Sequence, residues 1–280
     1  MKKRTSILLI ACLIIWTLSL GACAKEATIS YAALGDSIAV GLQPNGEKLS
    51  DGCYTEIVKN YVIKEAEKPV ELKNYAISGQ TTAQLLEQLN KEDISNNDII
   101  TVSIGSNDVL YPCYQIIKSV MGETDSLEKE ILNTVLSARS KDKEAIAKIQ
   151  QLTDAFKDND IMNQAINEFE HNYGEILKML RDKNPNAKIV VTNIYNPFDF
   201  VSKFGLKGFV VNTNAIMDKL NSIINNIAEK NDCMVADVSG LGKNTSYLNI
   251  TLSMSDLQID PHPNQAGHKK IAKAIINKLK

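Results

Sequence analysis

The chain has 280 residues, 44% hydrophobic and 23% charged, which is ordinary globular composition and enough for one large domain or two small ones. This excludes a disordered chain, a collagen-like fibre and a multi-span membrane protein. Lys and Arg number 31 against 33 Asp and Glu, a net charge of −2, so there is no basic footprint for nucleic acid, and only three histidines exist (His171, His262, His268), which argues against a His-rich metal site.

The first segment reads as an address. Lys2, Lys3 and Arg4 precede an uncharged, mostly apolar run over 7–20, shorter than the ~20 residues that cross a bilayer comfortably. The run ends in Leu20-Gly21-Ala22-Cys23, small residues just before a cysteine. The layout is that of a secretory signal over 1–22, and its ending resembles the lipobox of bacterial lipoproteins, in which the cysteine is lipidated and becomes the mature N-terminus. The alternative is an uncleaved N-terminal anchor helix. Either way the body is expected outside the cytoplasm, tethered to the cell membrane, with Cys23 as the lipidation site and 23–280 as the mature domain. Cleavage removes three basic residues and no acid, leaving 28 basic against 33 acidic residues and a net charge of −5. From Cys23 to a first strand near Ile29 is at most ~20 Å of extended chain, so the domain is expected close to the lipid surface. A disulfide persists in that compartment, and Cys53 with Cys113, each beside a strand-end motif, are candidates for one; Cys233 reads as a buried thiol.

The body alternates strands and helices. Strands are predicted over 29–34, 72–77, 99–104, 188–195 and 234–236; helices over 54–67, 82–90 with Thr81 or Thr82 as N-cap, 213–230, and a last one running from Pro263 to the end. Such alternation predicts an α/β fold: a parallel sheet covered by helices on both faces, with ligands at the carboxyl ends of the strands. The 80 residues from Asp108 to Lys188 exceed one crossover helix. Helical patterns over 126–140 and 143–156 suggest an inserted hairpin (an insertion over about 114–160), a lid or a decoration, before a crossover helix over 161–183. No linker divides the chain, so one domain is expected.

Four motifs fall at strand ends. Gly35-Asp36-Ser37 puts a hydroxyl at a helix start, where developing negative charge is favoured; it is not the Gly-x-Ser-x-Gly elbow, because Ala39 stands at the last position. Ser78-Gly79-Gln80 offers a bare backbone N–H. Gly105-Ser106-Asn107-Asp108 offers a side-chain amide in what reads as an Asn/Asp/Gly turn. Asp260-Pro261-His262-Pro263-Asn264 holds an imidazole between prolines beside a carboxylate. Taken alone, such motifs are more often a cap, a turn or a surface loop.

Taken together, and in this order, the four motifs resemble the SGNH hydrolases, also called GDSL esterases and lipases, over nearly the whole body from about Ile29 to the final helix. The resemblance implies a three-layer α/β/α sandwich with a central parallel five-stranded sheet. It implies Ser37 as nucleophile, an oxyanion hole from the Ser37 and Gly79 N–H groups and the Asn107 amide, and His262 as general base and then acid, without metal or organic cofactor. One departure stands out. The family's acid lies three residues before the histidine, where this chain has Ile259; Asp260 lies two before and is favoured, with Asp256, a backbone carbonyl or no acid as alternatives. His268 and His171 read as structural and solvated. The expectation is a lipid-anchored, monomeric serine esterase on the extracytoplasmic face, acting on lysophospholipids or other acyl esters. The lipid reading expects an acyl groove walled by Ile131, Leu132, Val135 and Ile146 of the insertion; the commoner case for such residues is the core of the hairpin itself. The alternatives are O-acetyl removal from cell-wall glycans, acyl transfer, and a non-catalytic ligand-binding lipoprotein.

Overall fold

The computed structural model describes residues 27–42, 48–123, 127–252 and 257–280. The expected signal segment, Cys23 and Asp256 lie outside the described residues.

Five parallel strands form the central sheet: β1 (Ile29–Gly35), β2 (Val70–Asn74), β3 (Ile99–Ser103), β4 (Lys188–Thr192) and β5 (Met234–Ala236), in the order β2-β1-β3-β4-β5. Every residue of β3 is buried, as in a sheet covered on both sides. The two faces are legible within β1. Ala32 and Leu34 point into one apolar cluster, Tyr31 and Ala33 into the other.

The helices are α1 (Ser37–Val40), α2 (Tyr54–Ala66), α3 (Thr82–Lys91), α4 (Ser106–Met121), α5 (Leu127–Arg139), α6 (Lys143–Ala155), α7 (Asp160–Lys183), α8 (Lys207–Lys230) and α9 (Gln265–Leu279). Helices α3 to α8 contribute side chains to the first cluster, α2 and α9 to the second, which makes the three layers. Local chemistry sets several boundaries. Thr81 and Gln84 close a capping box at the start of α3. Asn264 caps α9 by accepting from the N–H groups of Ala266 and Gly267, so the final helix starts after Pro263 and not at it; Pro263 instead ends a strand. An additional antiparallel pair, β6 (Leu248–Leu252) and β7 (Leu257–Pro263), carries the histidine motif, with β7 against α1, α5 and α9.

Three expectations are corrected. The stretch 105–108 is not a turn, because Gly105 alone turns the chain and α4 begins at Ser106. The hairpin α5–α6 is not a loose decoration: Val135, Leu152 and Phe156 are buried in the main cluster, with Phe156 edge-on to Phe209 of α8 at 5.0 Å. Cys53 and Cys113 are not bridged. Both are free and buried, Cys53 in one apolar cluster and Cys113 in the other, so the sheet lies between them.

Candidate active site

The strand order reverses between β1 and β3, since β1 connects outward to β2 and the chain then returns to β3 on its other side. In open parallel sheets that switch point leaves a crevice at the carboxyl ends of the strands. Gly35 ends β1 there. It pairs with Ser103 of β3 at φ +135°, and a Cβ on it would lie 2.0 Å from the Ser103 carbonyl oxygen. Only glycine lets the two strands meet so closely, and the chain then turns at once into α1 with Ser37 as its first residue.

Asp36 caps that one-turn helix, its Oδ1 accepting the Ile38 N–H at 3.0 Å. It is buried, and burial pushes its carboxyl up to about 7, opposed by that hydrogen bond and by the field of His262. Ser37 is buried to 8% exposure. Its N–H and that of Gly79 have no acceptor among the described residues.

The imidazole arrives from the β6–β7 pair. Register runs from Leu252 opposite Leu257 to Asn249 opposite Asp260, then jumps so that Leu248 faces Pro263. The jump leaves Pro261 and His262 as a bulge, which re-aims a side chain out of a strand. Residues two apart on an extended chain share a face, so Asp260 and His262 stand side by side. Asp260 Oδ1 is 2.5 Å from His262 Nδ1 and also accepts the His262 N–H at 2.7 Å. On the far side of the ring, His262 Nε2 is 2.8 Å from Ser37 Oγ across 225 residues of sequence. The bulge thus supplies a carboxylate two residues before the histidine by a path unlike a three-residue spacing. Asn264 anchors the loop, its amide donating to the Ser246 and Leu248 carbonyls at 2.8 and 3.1 Å.

Asn107, in the first turn of α4, donates one amide hydrogen to the Gln80 carbonyl at 3.0 Å and has a second to spare. Ser37, Asn107 and His262 line one narrow pocket that is open at its mouth. Its inner wall is apolar: Val109, Leu110 and Cys113 of α4, Ile194 and Phe198 after β4, and Met217 of α8. Burial pushes the Cys113 thiol up to about 12, so it is an inert part of that wall. Gly79 lies outside this pocket, in the adjoining loop with φ +78°. Among the described side chains, none of the expected groove residues of the insertion lines it. Val135 is buried in the core, Ile131 packs against the core, Ile146 is 49% exposed on the outside, and the Leu132 side chain lies outside the described ones. Of the other histidines, His268 is buried with its Nδ1 accepting the Tyr54 N–H at 3.4 Å, and His171 is exposed on α7.

Sequence reading did not find the residues that hold these groups. Asp108 accepts the Thr82 N–H and hydroxyl, and Tyr111 donates to the Gly79 carbonyl at 3.1 Å. The signal for both was the helix α4, which the Asn/Asp/Gly composition of its start and Pro112 in its interior conceal.

A family model described as the GDSL-like Lipase/Acylhydrolase family matches residues 33–270. The chain is 24% identical over 265 residues to the protein YpmR of Bacillus subtilis (strain 168), covering 90% of this chain and 82% of that protein. It is 25% identical over 179 residues to the spore germination lipase LipC of Bacillus licheniformis, covering 61% of this chain and 66% of LipC. Its fold matches that of phospholipase A1 from Streptomyces albidoflavus NA297 with a TM-score of 0.55 at 18% identity, over 90% of this chain and 99% of that one.

Proposed function

Because this chain belongs to the GDSL-like lipase/acylhydrolase family, we propose that it is a serine esterase, exported and lipid-anchored at Cys23, that hydrolyses acyl esters through an acyl-enzyme. The observation that carries the reading is the continuous line from Ser37 Oγ through the His262 ring to Asp260, at 2.8 and 2.5 Å. An ionised carboxylate only accepts hydrogen bonds, so Asp260 keeps the ring proton on Nδ1 and leaves Nε2 free to accept from Ser37. As Ser37 Oγ attacks the ester carbonyl, His262 takes its proton; the C–O bond to the alcohol then breaks and His262 returns that proton to the leaving oxygen. Water repeats the sequence on the acyl-enzyme, releasing the acid and regenerating Ser37. The negative charge of each tetrahedral intermediate falls to the Ser37 and Gly79 N–H groups and the spare Asn107 amide hydrogen. Losing one such donor typically costs ~2.7–4 kcal/mol of barrier.

The apolar wall behind Ser37 supports an alkyl acyl chain as the group bound there. An acetyl group would use little of that wall, which favours longer acyl esters, lysophospholipids among them, over O-acetyl glycans. The names of LipC and of the phospholipase A1 agree with a lipid ester.

The test is hydrolysis of p-nitrophenyl esters differing in acyl length. Ser37→Ala is expected to lose on the order of 10⁴-fold or more in kcat, and Asp260→Asn roughly 10²–10⁴-fold. Activity is expected to rise from acetyl to a longer acyl group. Equal rates for wild type and Ser37→Ala would instead favour a non-catalytic binding protein in the same cleft.

A further inference from the structure

The oxyanion donor assigned above to Gly79 sits in a loop that has left the sheet, held from within by one turn bond. After β2 the chain keeps two sheet-like bonds, from the Tyr75 N–H to the Ala33 carbonyl and from the Ile77 N–H to the Gly35 carbonyl, and then leaves the sheet in a turn that the Gln80 N–H closes on the Ile77 carbonyl at 3.1 Å. Ile77 is 51% exposed, and Gly79 takes a left-handed φ of +78°. Glycine is nearly indifferent among backbone conformations, so sterics do not decide which way the peptides on either side of it face. The N–H of Gly79 belongs to the peptide before its Cα and its carbonyl to the peptide after. Holding the carbonyl therefore fixes one side of the pivot about which the N–H is aimed.

The first turns of α4 add a second hold, from outside the loop. Asn107 donates to the Gln80 carbonyl at 3.0 Å, and Tyr111, one helical turn on and therefore on the same face, donates to the Gly79 carbonyl at 3.1 Å. Asp108, between them, accepts the Thr82 N–H at 3.0 Å and so fixes the end of the loop where α3 starts. Tyr111 is the outermost grip, 49% exposed, and its hydroxyl is the nearest atom to where a Cβ on Gly79 would be, at 3.2 Å.

We propose that Tyr111 is a positioning residue for the reaction: its phenol, hydrogen-bonded to the Gly79 carbonyl, holds the Gly79 N–H at the angle the oxyanion requires. The inference rests on the serine-esterase reading of this site. A half-exposed hydrogen bond contributes little net stability. An oxyanion donor that swings out of line costs much more in rate than in stability, because its bond is strongest in the transition state.

Tyr111→Phe keeps the ring and removes only the donor. With a p-nitrophenyl ester, kcat is expected to fall about tenfold, short of the 10²–10³-fold of deleting a donor outright, with KM nearly unchanged. Inactivation by a p-nitrophenyl alkylphosphonate, whose phosphoryl oxygen occupies the oxyanion's place, is expected to slow by a similar factor. The thermal midpoint should move by no more than ~2 °C. Wild-type kcat and wild-type phosphonate reactivity would overturn the proposal. So would an effect confined to KM, which would make Tyr111 a substrate wall, or a rate loss matched by loss of folded protein, which would make its role structural. Ser37→Ala in the same assays separates this from the underlying reading. If that variant retains activity, the esterase reading fails; if it is inactive while Tyr111→Phe is normal, only the role of Tyr111 fails.

Discussion

Asp36 sits beside the reactive hydroxyl with a carboxyl that has almost no contact with water, and only one of its oxygens has a hydrogen-bond partner. Burial raises it from 3.8 to about 7. Between those values the folded chain holds a proton that the unfolded chain has lost. Each unit of rising pH in that window therefore removes up to ~1.4 kcal/mol of stability. His268 works in the opposite sense: burial lowers it from 6.5 to about 4, so its contribution is present above 6.5 and is lost as pH falls toward 4. Asp36→Asn keeps the acceptor for the Ile38 N–H and removes only the Asp36 ionisation, so the His268 term cancels in the comparison. Urea midpoints of the variant are expected to fall less, or rise more, than wild type between pH 4 and pH 7; parallel curves would show that burial does not raise the Asp36 carboxyl. At this scale the sequence carried much. Ser37, Gly79, Asn107 and His262 stood out as an ordered set, and the structure brings Ser37, Asn107 and His262 into one pocket. The acid remained open between Asp260 and Asp256 because the spacing that matters is created by the bulge at Pro261 and His262, and a bulge is a property of pairing with β6, not of either residue.

Elements were legible where their patterns are local. Four of the five parallel strands announce themselves as short apolar runs, and α7, α8 and α9 by apolar residues at helical spacing; β2, Val-Glu-Leu-Lys-Asn at a sheet edge, does not, and the predicted strand over 72–77 overlaps only its second half. The β6–β7 pair gave no such signal, since two prolines in seven residues argue against a strand and its partner is weakly alternating. Helix α4 was hidden for a related reason: its first residues are turn formers, and two of them, Asn107 and Asp108, are held in the helix by partners on the 77–82 loop, as is Tyr111 one turn on. The insertion was visible as helices, but whether they cover the site or build the core depends on which apolar faces meet, and the pocket wall came from α4 and α8 instead. The element-level constraint that most directly positions Ser37 is the close approach of β1 to β3 at Gly35. Gly35→Ala would set a Cβ against a carbonyl oxygen of the neighbouring strand and impose a positive φ on alanine. The expected cost is roughly 3 kcal/mol or more by urea unfolding. A loss below ~1 kcal/mol would mean that the β1–β3 contact relaxes easily and does not fix the nucleophile.

Across the whole molecule the two ends of the sheet divide the work. Chain entry at Ile29 lies at the amino ends of the strands, beside Asp98, Lys188 and the C-terminal Lys280. Ser37 lies at the carboxyl ends, seven residues of strand away, or about 23 Å. A lipid on Cys23 would hold the chain by the first of these ends on a tether no longer than ~20 Å, so the reactive end would face away from the anchoring membrane. Under the proposed anchoring, substrate reaches Ser37 from outside as a dispersed ester, and closeness to lipid alone does not select a substrate embedded in that membrane. The claim on which the reading depends is that one hydroxyl, Ser37, carries the acyl group. Peptide mass mapping after reaction with a p-nitrophenyl alkylphosphonate tests it most directly. One phosphonyl group on the peptide containing Ser37, with loss of esterase activity in proportion to labelling, is the expected result. Labelling at another residue, or full ester hydrolysis by protein on which Ser37 remains unmodified, would contradict it.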